Sequence, residues 1–84
     1  MNISKAEQRV LHVLAQGGHI RPERDDGRLV AVTCFNRDGF VLNDCTLNVF
    51  KKLKNRRLIE SKDGSPYRIS YVGRISVRSQ LDNR

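Results

Sequence analysis

Two helical stretches separated by β-rich ones predict a small α+β domain, winged-helix-like in its second half: helix, β-hairpin or meander, helix, β-wing and a short tail. Three observations carry this. A capping box opens an amphipathic stripe over residues 3–14. A β-branched run over residues 29–35 lies between two glycine-containing turns. A polar-basic helical pattern from about Asp44 to Arg57 runs directly into a hairpin with Asp-Gly at its bend.

In the first helix, the Ser4 hydroxyl and Glu7 carboxylate are spaced to satisfy each other's backbone N–H groups. Ile3, Ala6, Val10 and Leu14 recur at helical spacing, and Leu11 and Val13 widen the stripe. Lys5, Gln8, Arg9, His12 and Gln16 take the opposite face, which makes His12 a surface residue. Gly17-Gly18 stops the helix, because glycine accepts the left-handed backbone of a helix end.

Residues 19–42 read as a hairpin or small meander. His19 to Arg24 contains Pro22, which confines that stretch to an edge or an irregular strand. Asp25-Asp26-Gly27 turns the chain into Leu29–Phe35, where Val30, Val32 and Cys34 share one face and Ala31, Thr33 and Phe35 the other. Asn36-Arg37-Asp38-Gly39 makes a second turn into a short strand, Phe40-Val41-Leu42.

Asn43 or Asp44 is the expected cap of the second helix. Leu47, Val49, Phe50 and Leu53 cluster on one side with Cys45 at the margin, in the first helical turn; Asn48, Lys51, Lys52 and Asn55 form the opposite stripe. Lys54, Arg56 and Arg57 fringe that stripe and continue past the helix end. Leu58–Lys62 and Tyr67–Tyr71 then flank Asp63-Gly64-Ser65-Pro66 as the arms of a wing. Residues 72–84 are weakly patterned: Ile75 and Val77 could extend a strand or touch the core, and Gln80 to Arg84 should fray.

The 84 residues suffice for one small domain spanning 1–84. Hydrophobic residues make up 38 % and tryptophan is absent, a modest core that leaves no deep cleft of enzyme type. No apolar run is long enough to span a membrane, and the polar, helix-like N-terminal residues are not those of an export signal. A cytoplasmic protein with reduced cysteines is expected. Cys34 and Cys45 are eleven positions apart, His12 and His19 seven, so no zinc-type ligand spacing exists and no cofactor is implied. No phosphate-binding loop is present, and nothing brings His12 or His19 to Cys45 as a nucleophile's base. Glu23, Asp25 and Asp26 share their turn with Arg24 and Arg28 and read as a solvated loop. The sequence does not describe an enzyme.

Charge is more informative. Residues 1–44 hold six Lys/Arg and six Asp/Glu, a net of zero; residues 45–84 hold ten basic against three acidic residues, which accounts for the whole net charge of +7. Such asymmetry points to a polyanion or an acidic protein surface. The expected contact set is Asn48, Lys51, Lys52, Lys54, Asn55, Arg56 and Arg57 on the helix, with Lys62 and Arg68 on the wing. A basic helix followed by a wing suits DNA: lysines neutralise phosphates, and asparagine amides can pair with adenine edges. Only Tyr67 and Tyr71 lie near the basic region, too few for single-strand stacking or an RNA-binding role of that kind.

The run Asp44-Cys45-Thr46-Leu47-Asn48-Val49-Phe50-Lys51-Lys52-Leu53-Lys54 resembles the YjhX toxin family. So do the opening Asn2–Ala15 with Gly17-Gly18, the pair Leu58-Ile59, Pro66-Tyr67-Arg68-Ile69 and the terminal Asp82-Asn83-Arg84. The resemblance implies a bacterial toxin of a toxin–antitoxin pair that inhibits DNA topoisomerase I, with an acetyltransferase-like antitoxin as partner. It carries no catalytic motif. The alternative is a winged-helix DNA-binding protein, such as a transcriptional repressor, using the basic second helix and wing. Ordinary winged-helix DNA binders place a further helix before the recognition helix; here residues 19–42 are β-rich, which leaves a strand edge free for a protein partner.

Overall fold

A computed structural model describes residues 3–64 and 66–82. They form a small α+β arrangement of three helices and two antiparallel sheets, in the order α1 (Lys5–Ala15), β1 (His19–Asp25), β2 (Arg28–Phe35), β3 (Val41–Leu42), α2 (Leu47–Asn55), β4 (Ile59–Glu60), β5 (Arg68–Ile69) and α3 (Tyr71–Asp82). One sheet has the order β1-β2-β3 and the other pairs β4 with β5. The arrangement is consistent with a winged-helix-like one. Ser65, at the wing bend, and Asn83 and Arg84, at the tail, lie outside the described residues.

The capping box forms as expected: Glu7 N–H donates to Ser4 Oγ at 3.1 Å, and Ser4 N–H to Glu7 Oε1 at 3.2 Å. At the other end, Gly17 adopts φ +109° and donates to the Leu14 carbonyl, while Gly18 donates to that of Val13. This crossed pair satisfies two carbonyls that a helix end would otherwise leave open. Asp26 (φ +50°) and Gly27 (φ +77°) supply the two left-handed residues of a tight hairpin between β1 and β2. Register is continuous from His19↔Phe35 to Glu23↔Ala31, then slips so that Arg24 faces Leu29. Val30 is the extra residue of this bulge and is exposed.

Four expectations are corrected. Phe40 lies outside β3 and is 71 % exposed, because Asn36 Oδ1 accepts from both Asp38 N–H and Phe40 N–H and holds that residue in the turn. The cap of α2 is Thr46, whose Oγ1 accepts from Val49 N–H at 3.2 Å; the Asp44 carboxylate is drawn instead to Arg9 Nη1 at 2.8 Å. Cys45 therefore precedes the helix and is not in its first turn. The helix also ends at Asn55, with Arg57 beyond it in the left-handed region (φ +60°). Arg57 N–H donates to Lys54 O and Leu58 N–H to Leu53 O, the same crossed closure as in α1 but without glycine.

The fourth correction is the largest. Residues Tyr71–Asp82 form α3, where a strand or a weakly patterned tail was expected, so Tyr71 is no part of the wing arm. Ser70 starts the helix: its hydroxyl accepts from Gly73 N–H at 3.0 Å and donates to the Arg57 carbonyl at 2.6 Å. Gly73 and Val77 face inward, while Tyr71, Val72 and Ile75 stay exposed. The sequence pattern is weak because one inward position is glycine and three apolar residues point outward. Glycine is required there, since a Cβ would collide with the Leu58 carbonyl oxygen.

Leu11, Leu14, Ile20, Phe50, Leu53 and Leu58 anchor one core shared by α1, β1, α2 and the wing. Glu7 is also buried, 1 % exposed, and its Oε2 lies 3.7 Å from Arg56 Nη1, which ties α1 to the end of α2.

Candidate functional site

Helix α2 turns Val49, Phe50 and Leu53 into the core, and this orientation sets everything opposite. Asn48, Lys51, Lys52, Lys54, Asn55, Arg56 and Arg57 are all exposed, as are Lys62 and Arg68 on the wing. Among the described residues, ion pairs join Arg9 to Asp44 and Arg56 to Glu7; none involves Lys51, Lys52, Lys54, Arg57, Lys62 or Arg68. Lysines left without a carboxylate keep their field directed at solvent. Arg56 is the structural member of the set, since it leans back toward the buried Glu7.

Tyr67 joins the wing to the helix. Its ring meets Phe50 edge-on, with centroids 4.9 Å apart at 88°. The ammonium of Lys54 lies 5.9 Å from the Tyr67 ring centroid, within reach of a cation–π interaction. The backbone of Tyr67 also exchanges two hydrogen bonds with Ile20: Ile20 N–H to Tyr67 O at 2.9 Å and Tyr67 N–H to Ile20 O at 2.8 Å. Strand β1 is thereby held between β2 on one side and the wing on the other.

That bridge brings cations the sequence reading left out. Arg21 and Arg24 of β1 line a cleft of about 480 Å³ with Pro22, Gly64 and Pro66. On the other side of Pro66, Lys62 and Arg68 line a cleft of about 320 Å³ with Glu60, Ile69 and Arg74 of α3. The crowding is felt at His19, which stacks on Phe35 at 5.2 Å: burial, then the nearby guanidinium groups of Arg68 and Arg21, hold its imidazole below the usual value. No spacing rule in the sequence links Arg21 to Arg68, because only the Ile20–Tyr67 bridge makes them neighbours.

The chemistry of the remaining polar groups is quiet. Cys34 and Cys45 are both buried; the neighbouring Cys34, and burial after it, push the Cys45 thiol up, while the neighbouring Cys45 holds the Cys34 thiol down. Burial keeps both from acting as open nucleophiles. His12 is exposed on α1 and lines a shallow groove with Lys5, Gln8, Arg9, Val13 and Leu42. Among the described residues, no group of three or more His, Cys, Asp or Glu is placed to hold a metal, and no helix is long and apolar enough to cross a membrane.

A family model described as "Putative toxin of bacterial toxin-antitoxin pair" matches residues 1–84. The chain belongs to the YjhX toxin family. Relatives span it end to end. A protein of Beijerinckia indica subsp. indica is 69 % identical over 85 residues, one of Brucella anthropi 62 % over 84, and one of Aliivibrio fischeri 55 % over 85; each pair is covered completely in both chains, and each relative is named UPF0386 protein. No solved structure matches the chain. As a YjhX-type chain it belongs with toxins that are paired with an antitoxin, and the family description indicates no enzyme class.

Proposed function

We propose that this chain is a toxin that acts without catalysis, by seating its α2–wing face on DNA topoisomerase I and blocking relaxation of DNA. The observation that carries the reading is the basic face itself. Lys51, Lys52, Lys54 and Arg57, with Lys62 and Arg68 on the wing, stand exposed without a carboxylate partner among the described residues. Asn48, Asn55 and Arg56 complete the contact set. Family membership supports the toxin role. The target, the acetyltransferase-like character of the antitoxin and the cytoplasmic setting follow from the resemblance and composition given above, with residues 1–84 acting as one winged-helix-like unit.

The test is a calorimetric titration of nuclease-treated topoisomerase I with the full chain at moderate salt. A defined stoichiometry is expected, and Lys51→Glu with Lys52→Glu should abolish the heat while leaving the fold intact, since both residues are exposed. Absence of any complex with folded protein would remove topoisomerase I as the target. A second reading is favoured by Asn48, Lys51, Lys52 and Asn55 sharing one exposed helical stripe: a regulator that lays α2 along duplex DNA. Under it the same double variant loses duplex binding, and no complex forms without nucleic acid.

A further inference from the structure

The two clefts beside Pro66 enlarge the basic surface beyond the residues proposed so far. Together they are lined by Arg21, Arg24, Lys62, Arg68 and Arg74, five cations, against one carboxylate, Glu60. These cations come from β1, the wing and α3, far apart in sequence. Arg21 and Arg24, on β1 beside the β2 bulge at Val30, line one cleft. Gly73 packs α3 against Leu58, and Arg74, the next residue, lines the other. No ion pair engages any of the five among the described residues. Like charges gathered without partners repel one another, and an anion bound among them relieves that repulsion.

We propose that the wing is a backbone-binding saddle for duplex DNA, in which Arg21 and Arg24 on one side of Pro66 and Lys62, Arg68 and Arg74 on the other take phosphates of the strand that crosses it. The inference rests on the duplex reading of the basic face and adds Arg21, Arg24 and Arg74 to it. Two features favour a phosphate backbone. Pro66 lines both clefts, so a ligand filling them together must carry negative charges repeated along its length. Neither cleft is lined by an aromatic ring, so bases have nothing to stack on, and the contact is with the backbone. Four of the five cations are arginines, whose planar forks match phosphate oxygens.

The experiment is an anisotropy titration of a short labelled mixed-sequence duplex with the full chain, repeated across salt concentrations. Each neutralised phosphate contributes roughly 0.9 to the slope of log affinity against log salt. Five such contacts weaken binding about 500-fold between about 50 and about 200 mM salt. Arg21→Gln with Arg24→Gln should lower the slope by about 1.8, so that the same rise in salt costs about 12-fold less than in the wild-type chain. Arg74→Gln should lower the slope by about 0.9. All three positions are exposed, and circular dichroism checks that each variant folds. Duplex binding with unchanged slopes in these variants would overturn the saddle and leave the α2 reading standing. A wild-type chain that binds no duplex would overturn both. Loss of a topoisomerase I complex in the β1 variant, with duplex slopes unaltered, would assign the clefts to an acidic protein surface and refute the phosphate role.

Discussion

Replacing Gly73 by alanine should destabilise this protein, although the same change inside a helix ordinarily stabilises it. Gly73 lies in the first turn of α3. Its φ is not in the left-handed region, so alanine fits the backbone and would gain about 1 kcal/mol of helix propensity. The added Cβ, however, would collide with the Leu58 carbonyl oxygen and stand 2.7 Å from Ile69 Cγ1. That carbonyl cannot retreat freely, because it accepts from Ser70 N–H at 2.9 Å. Overpacking costs about 1–3 kcal/mol and a lost hydrogen bond about 1 kcal/mol. The net effect is a loss of about 1–3 kcal/mol. For a chain of this size each kcal/mol lowers Tm by roughly 4–8 °C, so a drop of about 8–16 °C is expected at the middle of that range. Thermal unfolding followed by far-UV circular dichroism reads it, with Ser76→Ala, a half-buried position on the same helix, as the propensity control. A Gly73→Ala variant with unchanged or higher Tm would refute the close approach of α3 to Leu58, and with it the placement of Arg74 beside the wing.

Three further outcomes follow from local geometry. Arg57→Gly relieves a left-handed residue of roughly 1 kcal/mol of strain but gains unfolded-state freedom, so stability should hold or rise by up to about 1 kcal/mol. Partner binding should weaken at the same time; urea unfolding and calorimetry together check the opposite signs, and a clear loss of stability would contradict the φ assignment. Cys34 and Cys45 should both resist a thiol reagent in the native state and both react in denaturant, because each is buried and Cys45 is held above the ordinary thiol range. Fast native labelling of either would show the pair to be open. His19 should titrate below 6.5, and Arg68→Gln should bring it back toward that value. Its folded form prefers the neutral ring, so its share of stability is complete above about 6.5 and declines as pH falls through the lowered folded value. An imidazole titration by NMR at or above 6.5 would contradict the guanidinium environment described.

Much of the site was legible because it is built on one element. The 100° spacing of Val49, Phe50 and Leu53 fixes which way α2 faces, and Asn48, Lys51, Lys52 and Asn55 must then lie outside. The wing bend was legible from Asp63 and Gly64, whose φ values of +53° and +76° are those their residue types favour. The cap of α2 was not, because Asn43, Asp44 and Thr46 are all good caps, and the choice fell to a contact with Arg9 that lies 35 residues away in the chain.

Local conformations were set by near neighbours along the chain. The capping box of α1, the glycine stops, the β1–β2 hairpin and the inward face of α2 each follow from residues within a few positions of one another, where sterics and hydrogen bonding act directly. The helix Tyr71–Asp82 was settled by long-range packing, since its signal is a glycine that fits against Leu58. Only the tertiary structure decided that the electrically neutral first half lends Arg21 and Arg24 to the wing, through two backbone hydrogen bonds between Ile20 and Tyr67. Backbone pairing of that kind leaves little trace in side-chain pattern, because every residue but proline offers the same donor and acceptor.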